Sequence, residues 1–225
     1  MKILAIDTAL SNCSAAIWED GEVLGVNSIE LSRGHVEVLM PMIKNLMAKT
    51  SANFSDIDMI AVTIGPGSFT GMRTGLSAAH GLALALNIPV HGVTTFEAVA
   101  FSVFRQLNKG AKSLPLFVVL ETKRADLYFQ QYTADGSPQN EPIAALPEAI
   151  IQLLPNCPIR VAGDACDRFL DAVPENKIGN IKVVTECRFP FSEHVAEIAG
   201  NRVHSAKKAT PLYILPPAAK LPYSN

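Results

Sequence analysis

The stretch Lys2-Ile3-Leu4-Ala5-Ile6-Asp7-Thr8 decides how the chain is read: an apolar run closed by an acid and a threonine is the pattern of a buried strand that ends at a polar turn. Residues 14–18 form a second strand. Asp20-Gly21 then turns the chain into a third over 22–30, because Asp-Gly tolerates the positive φ of a type I′ hairpin. The same order returns later. Residues 115–120 are an apolar strand ending at Glu121-Thr122, residues 127–132 are the next strand, and Asp135-Gly136 echoes Asp20-Gly21 at nearly the same distance from the acid. This ordered self-similarity points to two lobes built on one plan.

Between these landmarks the periodicity changes. From His35 to Lys49 the apolar residues Val36, Leu39, Met40, Ile43, Leu46 and Met47 recur at helical spacing, and Pro41 should either sit in the first turn or kink the helix. Residues 58–64 are a β-branched apolar strand, the glycine-rich segment Gly65 to Gly71 leads into a helix reaching about Asn87, and residues 89–93 are a short strand. Thr94, with Glu97 three residues on, is a capping box that starts a further helix. The first half therefore runs βββαβαβα. In the second half, 147–154, 164–173 and 192–203 are expected as helices, and 159–162 and 181–184 as strands. A polar loop at 107–114 marks the expected boundary. It gives an N-terminal lobe over 1–108, onto which a tail at 206–225 could pack, and a smaller C-terminal lobe over 109–205.

Composition narrows the function. With 225 residues, 48% of them hydrophobic and 18% charged, the chain can bury a sizeable core. Nineteen basic and twenty-one acidic residues leave a formal charge of -2, so autonomous nucleic-acid binding is disfavoured, since displacing phosphate counterions needs a basic excess. The local basic cluster is Arg202, His204, Lys207 and Lys208. Cys13, Cys157, Cys166 and Cys187 lack C-x-x-C spacing and disulfide density, which places the chain in a reducing cytoplasm. The charge-free stretch 74–96 contains His80, Asn87, Pro89 and His91 and reads as helix then strand rather than a membrane span.

Chemistry concentrates in two places. Two lobes that each begin with a strand, an acid-Thr pair and a hairpin suggest an α/β fold of the actin, hexokinase and Hsp70 type, ribonuclease H-like, with a duplicated mixed β-sheet core. In such a site Asp7 would hold a metal or water, and the backbone after Thr8 would approach phosphate. Ala9, Leu10, Ser11 and Asn12 nevertheless supply no glycine there. The segment from Gly65 to Gly75 (GPGSFTGMRTG) permits sharp backbone at Gly65 and Gly67, with Ser68 or Thr70 capping the next helix, yet it lacks the lysine of a P-loop. Asp7, Thr8, Gly65, Gly67 and Ser68 are thus a degenerate nucleotide or phosphate loop, as readily explained by tight turns. Isolated histidines and the absence of G-x-S-x-G leave no metal site and no catalytic residue.

The helix from Thr70 to Asn87 carries two rows of small residues, Gly71, Gly75 and Ala79 on one and Ser77, Gly81 and Ala85 on the other. Helix-interior glycine costs roughly 1 kcal/mol against alanine, so each row implies close packing, one against its own sheet and one against a partner. With the Met-rich face of the preceding helix, the expected partner surface is Val36, Met40, Ile43, Met47, Gly71, Gly75, Ala78 and Ala79.

These residues also carry a resemblance. Ile3 to Thr8, Arg33-Gly34-His35 with Glu37, the string Gly65 to Gly75, Gly81-Leu82-Ala83, Lys123-Arg124 before Leu127-Tyr128, and Pro211-Leu212-Tyr213 make the chain similar to the TsaB (YeaZ) family. That is the bacterial subunit of the machinery that makes threonylcarbamoyladenosine beside the tRNA anticodon. The chain departs from the family pattern at Val36, Glu121 and Ala125. The resemblance implies a noncatalytic scaffold that pairs with TsaD, the paralogue that transfers the threonylcarbamoyl group, with the ATPase TsaE as third partner. It also implies that tRNA is reached only through the complex, with no membrane contact. No cofactor of its own is expected, ATP or ADP and Mg entering at the level of the complex, and the chain could pair with itself when alone. The reading from a different class is an autonomous ATP-dependent small-molecule kinase or carbamoyl transferase using Asp7 and the Gly65 loop.

Overall fold

At the first hairpin Asp20 and Gly21 take φ of 47° and 101°, so the chain reverses in two residues and joins β2 (Asn12–Glu19) to β3 (Glu22–Glu30) beside β1 (Lys2–Asp7). The computed structural model describes residues 1–106, 114–202 and 207–215. Of the expected boundary loop only Leu114 falls within these, and His204 lies outside them.

After the meander come α1 (His35–Lys49), β4 (Met59–Thr63), α2 (Phe69–Leu86), β5 (Val90–Val93) and α3 (Thr95–Gln106). Pro41 lies inside α1, past its first turn. The second half repeats the order with β6 (Leu116–Glu121), β7 (Leu127–Tyr132), β8 (Ile143–Ala145), α4 (Pro147–Ile151), β9 (Ile159–Ala162), α5 (Cys166–Ala172), α6 (Glu175–Ile178), β10 (Ile181–Val183) and α7 (Ser192–Gly200), before β11 (Lys207–Lys208). One sheet is ordered β11-β5-β4-β1-β2-β3 and the other β10-β9-β6-β7-β8. In each, the first strand pairs antiparallel with the second and parallel with the fourth. This is the duplicated mixed-sheet core of the actin and hexokinase type, with β11 added to one edge.

β1 is buried on both faces, as its unbroken apolar run requires. Leu4 and Ile6 join Ile43, Leu46, Leu76 and Ala79 under α1 and α2, while Ile3 and Ala5 join Trp18, Val195 and Ala199 under α7. Here the structure corrects the sequence reading: α7 falls within 109–205 yet packs on β1 and β2 of the first sheet. Gly200 permits this, since a Cβ there would stand 2.9 Å from the Trp18 ring. A third cluster lies between the lobes, where Phe96, Val99 and Val103 of α3 meet Leu116, Val118 and Leu120 of β6. Burying each such large side chain stabilises the joint by about 1.5–3 kcal/mol. The Thr94–Glu97 capping box forms as expected, with the Thr94 amide donating to Glu97 at 3.0 Å and the Glu97 amide to Thr94 at 3.1 Å.

Candidate functional site

Asp7 ends β1 with no exposed surface. The Thr63 hydroxyl, from the end of β4, donates to Asp7 Oδ1 at 2.6 Å, and the Ala9 amide donates to the same oxygen at 3.1 Å. Oδ2 has no partner among the described residues. Burial dominates over the two hydrogen bonds and pushes the Asp7 carboxyl up to about 7.

The loop that follows is locked from several sides. Thr8 donates its hydroxyl to the Gly71 carbonyl at 2.7 Å, and the Ala9 carbonyl accepts from the Ser68 amide at 2.7 Å. Gly67 lies against the Ala9 carbonyl so closely that any side chain would collide with it. Ser68 caps α2 by accepting from the Gly71 amide at 3.3 Å. Thr8, Gly67 and Ser68 therefore do come together beside Asp7, but as a packed joint, whereas Gly65 packs on Met72 and the Leu212 carbonyl and accepts from the Thr95 amide. Ala9 and Leu10, 0% and 4% exposed, enter the inter-lobe cluster with Met72, Phe96 and Tyr132. Among the described residues no cluster of three His, Cys, Asp or Glu side chains is placed to hold a metal.

The expected partner surface is split by the structure. Ile43, Met47, Gly71, Gly75 and Ala79 are buried in the chain's own core. A Cβ on Gly75 would stand 2.5 Å from Thr8 Oγ1 and 3.6 Å from Val62, so this small-residue row serves the chain's own sheet. Val36 and Met40 are exposed and Ala78 is half-buried. Together with Phe69, Arg73 and Ser77 they line a groove of about 410 Å³ between α1 and α2. Sequence reasoning missed Phe69 and Arg73. Their signal was an aromatic and a cation one turn apart at the start of α2, with the Arg73 guanidinium 3.7 Å from the Phe69 ring centre.

The basic cluster also reads differently in three dimensions. Arg202 and Lys207 both pair with Glu97, at 2.8 and 2.7 Å. Burial pushes the Glu97 carboxyl up, but hydrogen bonds from Lys207, the Thr94 amide and Arg202 outweigh it and hold the group at about 2. Glu97 thus ties two cations of the cluster to the start of α3, while their side chains stay 41% and 46% exposed.

In the second lobe, the Glu121 amide donates to Asp164 at 2.9 Å, and burial pushes the Asp164 carboxyl up to about 6. Arg168 pairs with Glu121 at 2.7 Å and also donates to the carbonyls of Arg124, Ala125 and Asp126. This clamp fixes the turn in which Lys123 adopts φ of 60°. The turn and the start of α2 face each other across a cleft of about 640 Å³.

A sequence profile of the TsaD family, tRNA N6-adenosine threonylcarbamoyltransferase, matches residues 18–196. The tRNA threonylcarbamoyladenosine biosynthesis protein TsaB of Escherichia coli K12 is 36% identical over 60% of this chain and 56% of its own length. TsaB of Buchnera aphidicola subsp. Schizaphis graminum is 29% identical over 60% of this chain and 62% of its own, and that of subsp. Baizongia pistaciae is 29% identical over 94% and 97%. The chain thus spans between about half and two thirds of the length of the first curated relatives it matches. A crystal structure of a Pseudomonas aeruginosa protein with similarity to peptidase YeaZ superposes with a TM-score of 0.80 at 23% identity, covering 95% of this chain and 99% of that one. That likeness shows the fold.

Proposed function

Since the chain belongs to the TsaD family, on its TsaB (YeaZ) branch, we propose that it is the noncatalytic subunit that pairs with a TsaD-like paralogue. The paralogue would perform threonylcarbamoyl transfer to the adenosine beside the tRNA anticodon. One observation carries this reading: Ala9 and Leu10 plug the joint between the lobes while Asp7 has no exposed atom. An Asp7 so enclosed cannot meet a metal or a phosphate without the joint opening. The autonomous kinase or carbamoyl transferase reading needs that path open.

On this reading the partner docks on the exposed faces of α1 and α2, around Val36, Met40 and Phe69. The same faces pair with a second copy when the paralogue is missing. A TsaE-like ATPase joins the complex, which works in the cytoplasm and supplies any ATP, ADP or Mg. No helix among the described residues is long and apolar enough to cross a membrane.

The test is reconstitution with a TsaD-like protein, a TsaE-like ATPase, tRNA and threonylcarbamoyl-adenylate. Modified adenosine is expected only when the paralogue is present. ATP turnover by the pure chain that disappears in Asp7→Ala overturns the proposal.

A further inference from the structure

The cleft between the start of α2 and the turn at residues 122–126 adjoins the proposed partner face and shares Phe69 and Arg73 with it. One wall is a stack: Arg73 lies over the Phe69 ring, Nε of Arg73 donates to the Tyr213 hydroxyl at 3.0 Å, and the Phe69 and Tyr213 ring centres are 5.9 Å apart. Phe69 and Tyr213 keep 48% and 44% of their surface exposed, an unusual cost for two neighbouring aromatic rings. The opposite wall is the Arg168-clamped turn, which offers Lys123 from a left-handed backbone that bulky residues rarely adopt. Tyr128 lines the cleft as well. Its acid is Glu121, already paired with Arg168 at 2.7 Å. Lys123 forms no ion pair among the described residues. A chain of net charge -2 thus concentrates positive charge beside exposed aromatic faces.

We propose that this cleft binds a nucleotide unit of single-stranded RNA, the base stacking on the Tyr213–Phe69 wall and the backbone phosphate lying between Arg73 and Lys123. The inference rests on the reading of the chain as part of a tRNA-modifying complex. Three features favour this occupant. Cations beside flat aromatic faces suit a base joined to a phosphate, whereas an acidic peptide would leave the rings without contacts. A free nucleoside polyphosphate would call on helix-terminal amides, but at the start of α2 the Gly71 amide is already taken by the Ser68 hydroxyl. The cleft, at about 640 Å³, has room for a nucleotide and not for a duplex. With only two phosphate-contacting cations the contact is weak for the chain alone, as its net charge requires, and adds to whatever the partner supplies.

The test is fluorescence anisotropy on the full chain with labelled single-stranded hepta-adenylate RNA. A duplex of equal length, AMP and hexaglutamate serve as competitors. Binding to the single strand is expected, with Arg73→Ala and Lys123→Ala each reducing the slope of log K against log salt by about 0.7. Tyr213→Leu should weaken binding about tenfold. Lys182→Ala, on the far strand β10, should leave it unchanged. Melting curves accompany each variant, and Arg73→Lys, which keeps the charge but not the stack, stands in if Arg73→Ala does not fold. Absence of RNA binding, RNA binding indifferent to all three substitutions, or displacement by AMP or hexaglutamate as effectively as by RNA would each overturn the proposal. Sedimentation with the TsaD-like partner on the same preparations separates the two readings. For the unsubstituted chain, absent RNA binding with pairing intact sinks only this inference, and absent pairing sinks the scaffold.

Discussion

The hydroxyl of Thr63 holds the carboxyl of Asp7 at 2.6 Å across the parallel pairing of β4 with β1, and the other carboxyl oxygen is buried without a partner among the described residues. The acid that ends β1 is thus an internal group whose protonation is coupled to folding.

Asp7 titrates near 4 when unfolded and at about 7 when folded, so between those values the native state holds a proton that the unfolded state releases. Its contribution is fully present below about pH 4 and is lost as pH rises through about 7. Three pH units correspond to about 4 kcal/mol. Asp7→Asn should flatten this slope and raise stability at pH 8 by roughly 2–4 kcal/mol. Urea unfolding at pH 5 and pH 8 checks it, and an unchanged slope in the variant would remove Asp7 as the source.

Glu97 behaves in the opposite sense. Its folded value of about 2 lies below the unfolded one, so its contribution is present above about pH 4 and is lost as pH falls through 2. Glu97→Gln leaves Arg202 and Lys207 without their anion and weakens the cap of α3. A loss of about 3 kcal/mol at pH 7 is expected by chemical denaturation. Equal stability of the variant at pH 7 would show that the two cations find other partners.

Gly75 and Met40 separate folding from pairing. Gly75→Ala forces a methyl against Thr8 Oγ1 and should cost about 1–3 kcal/mol of folding stability, while the folded fraction still pairs with a TsaD-like partner. Met40, 44% exposed, should show the reverse. Met40→Asp is expected to leave stability within about 0.5 kcal/mol yet weaken pairing tenfold or more. Sedimentation and thermal melting together decide, and a Gly75→Ala protein of normal stability would return that row to the interface.

Leu10 tests the seal between the lobes. Leu10→Ala should cost about 2–5 kcal/mol, because neighbours fixed on two sheets cannot collapse into the space. A cost below about 1 kcal/mol in urea unfolding would mean that the plug contributes little to the joint.

Local chemistry in the sequence was enough to place most elements. Asp20-Gly21, the Thr94–Glu97 box and the apolar run before Asp7 each act within a few residues, and all appear where the pattern puts them. What the sequence hid depends on distant neighbours. The Gly71–Gly75–Ala79 row required close packing, but spacing alone does not say whether a sheet or a partner supplies it. Likewise α7 has the same amphipathic pattern on either lobe, and only the shape complementarity of Gly200 with Trp18 assigns it to the first. β8 and β11 are three and two residues long, too short to show any periodicity. The pairing of Arg202 and Lys207 with Glu97 spans more than a hundred residues of chain, so charge counting alone shows a local basic cluster and not its acidic partner.

The return of α7 and β11 to the first sheet has a consequence for how the protein is made. β1 emerges from the ribosome early, but the helix that covers Ile3 and Ala5 and the strand that closes the edge of β5 follow only after the whole second lobe. At roughly 5–20 residues per second, the hundred residues between α3 and β11 take on the order of 5–20 s to synthesise, during which one face of the nascent sheet is bare. The first lobe is the last to be finished. A ribosome stalled before Ser192 should therefore hold a chain whose N-terminal half remains a substrate for chaperones.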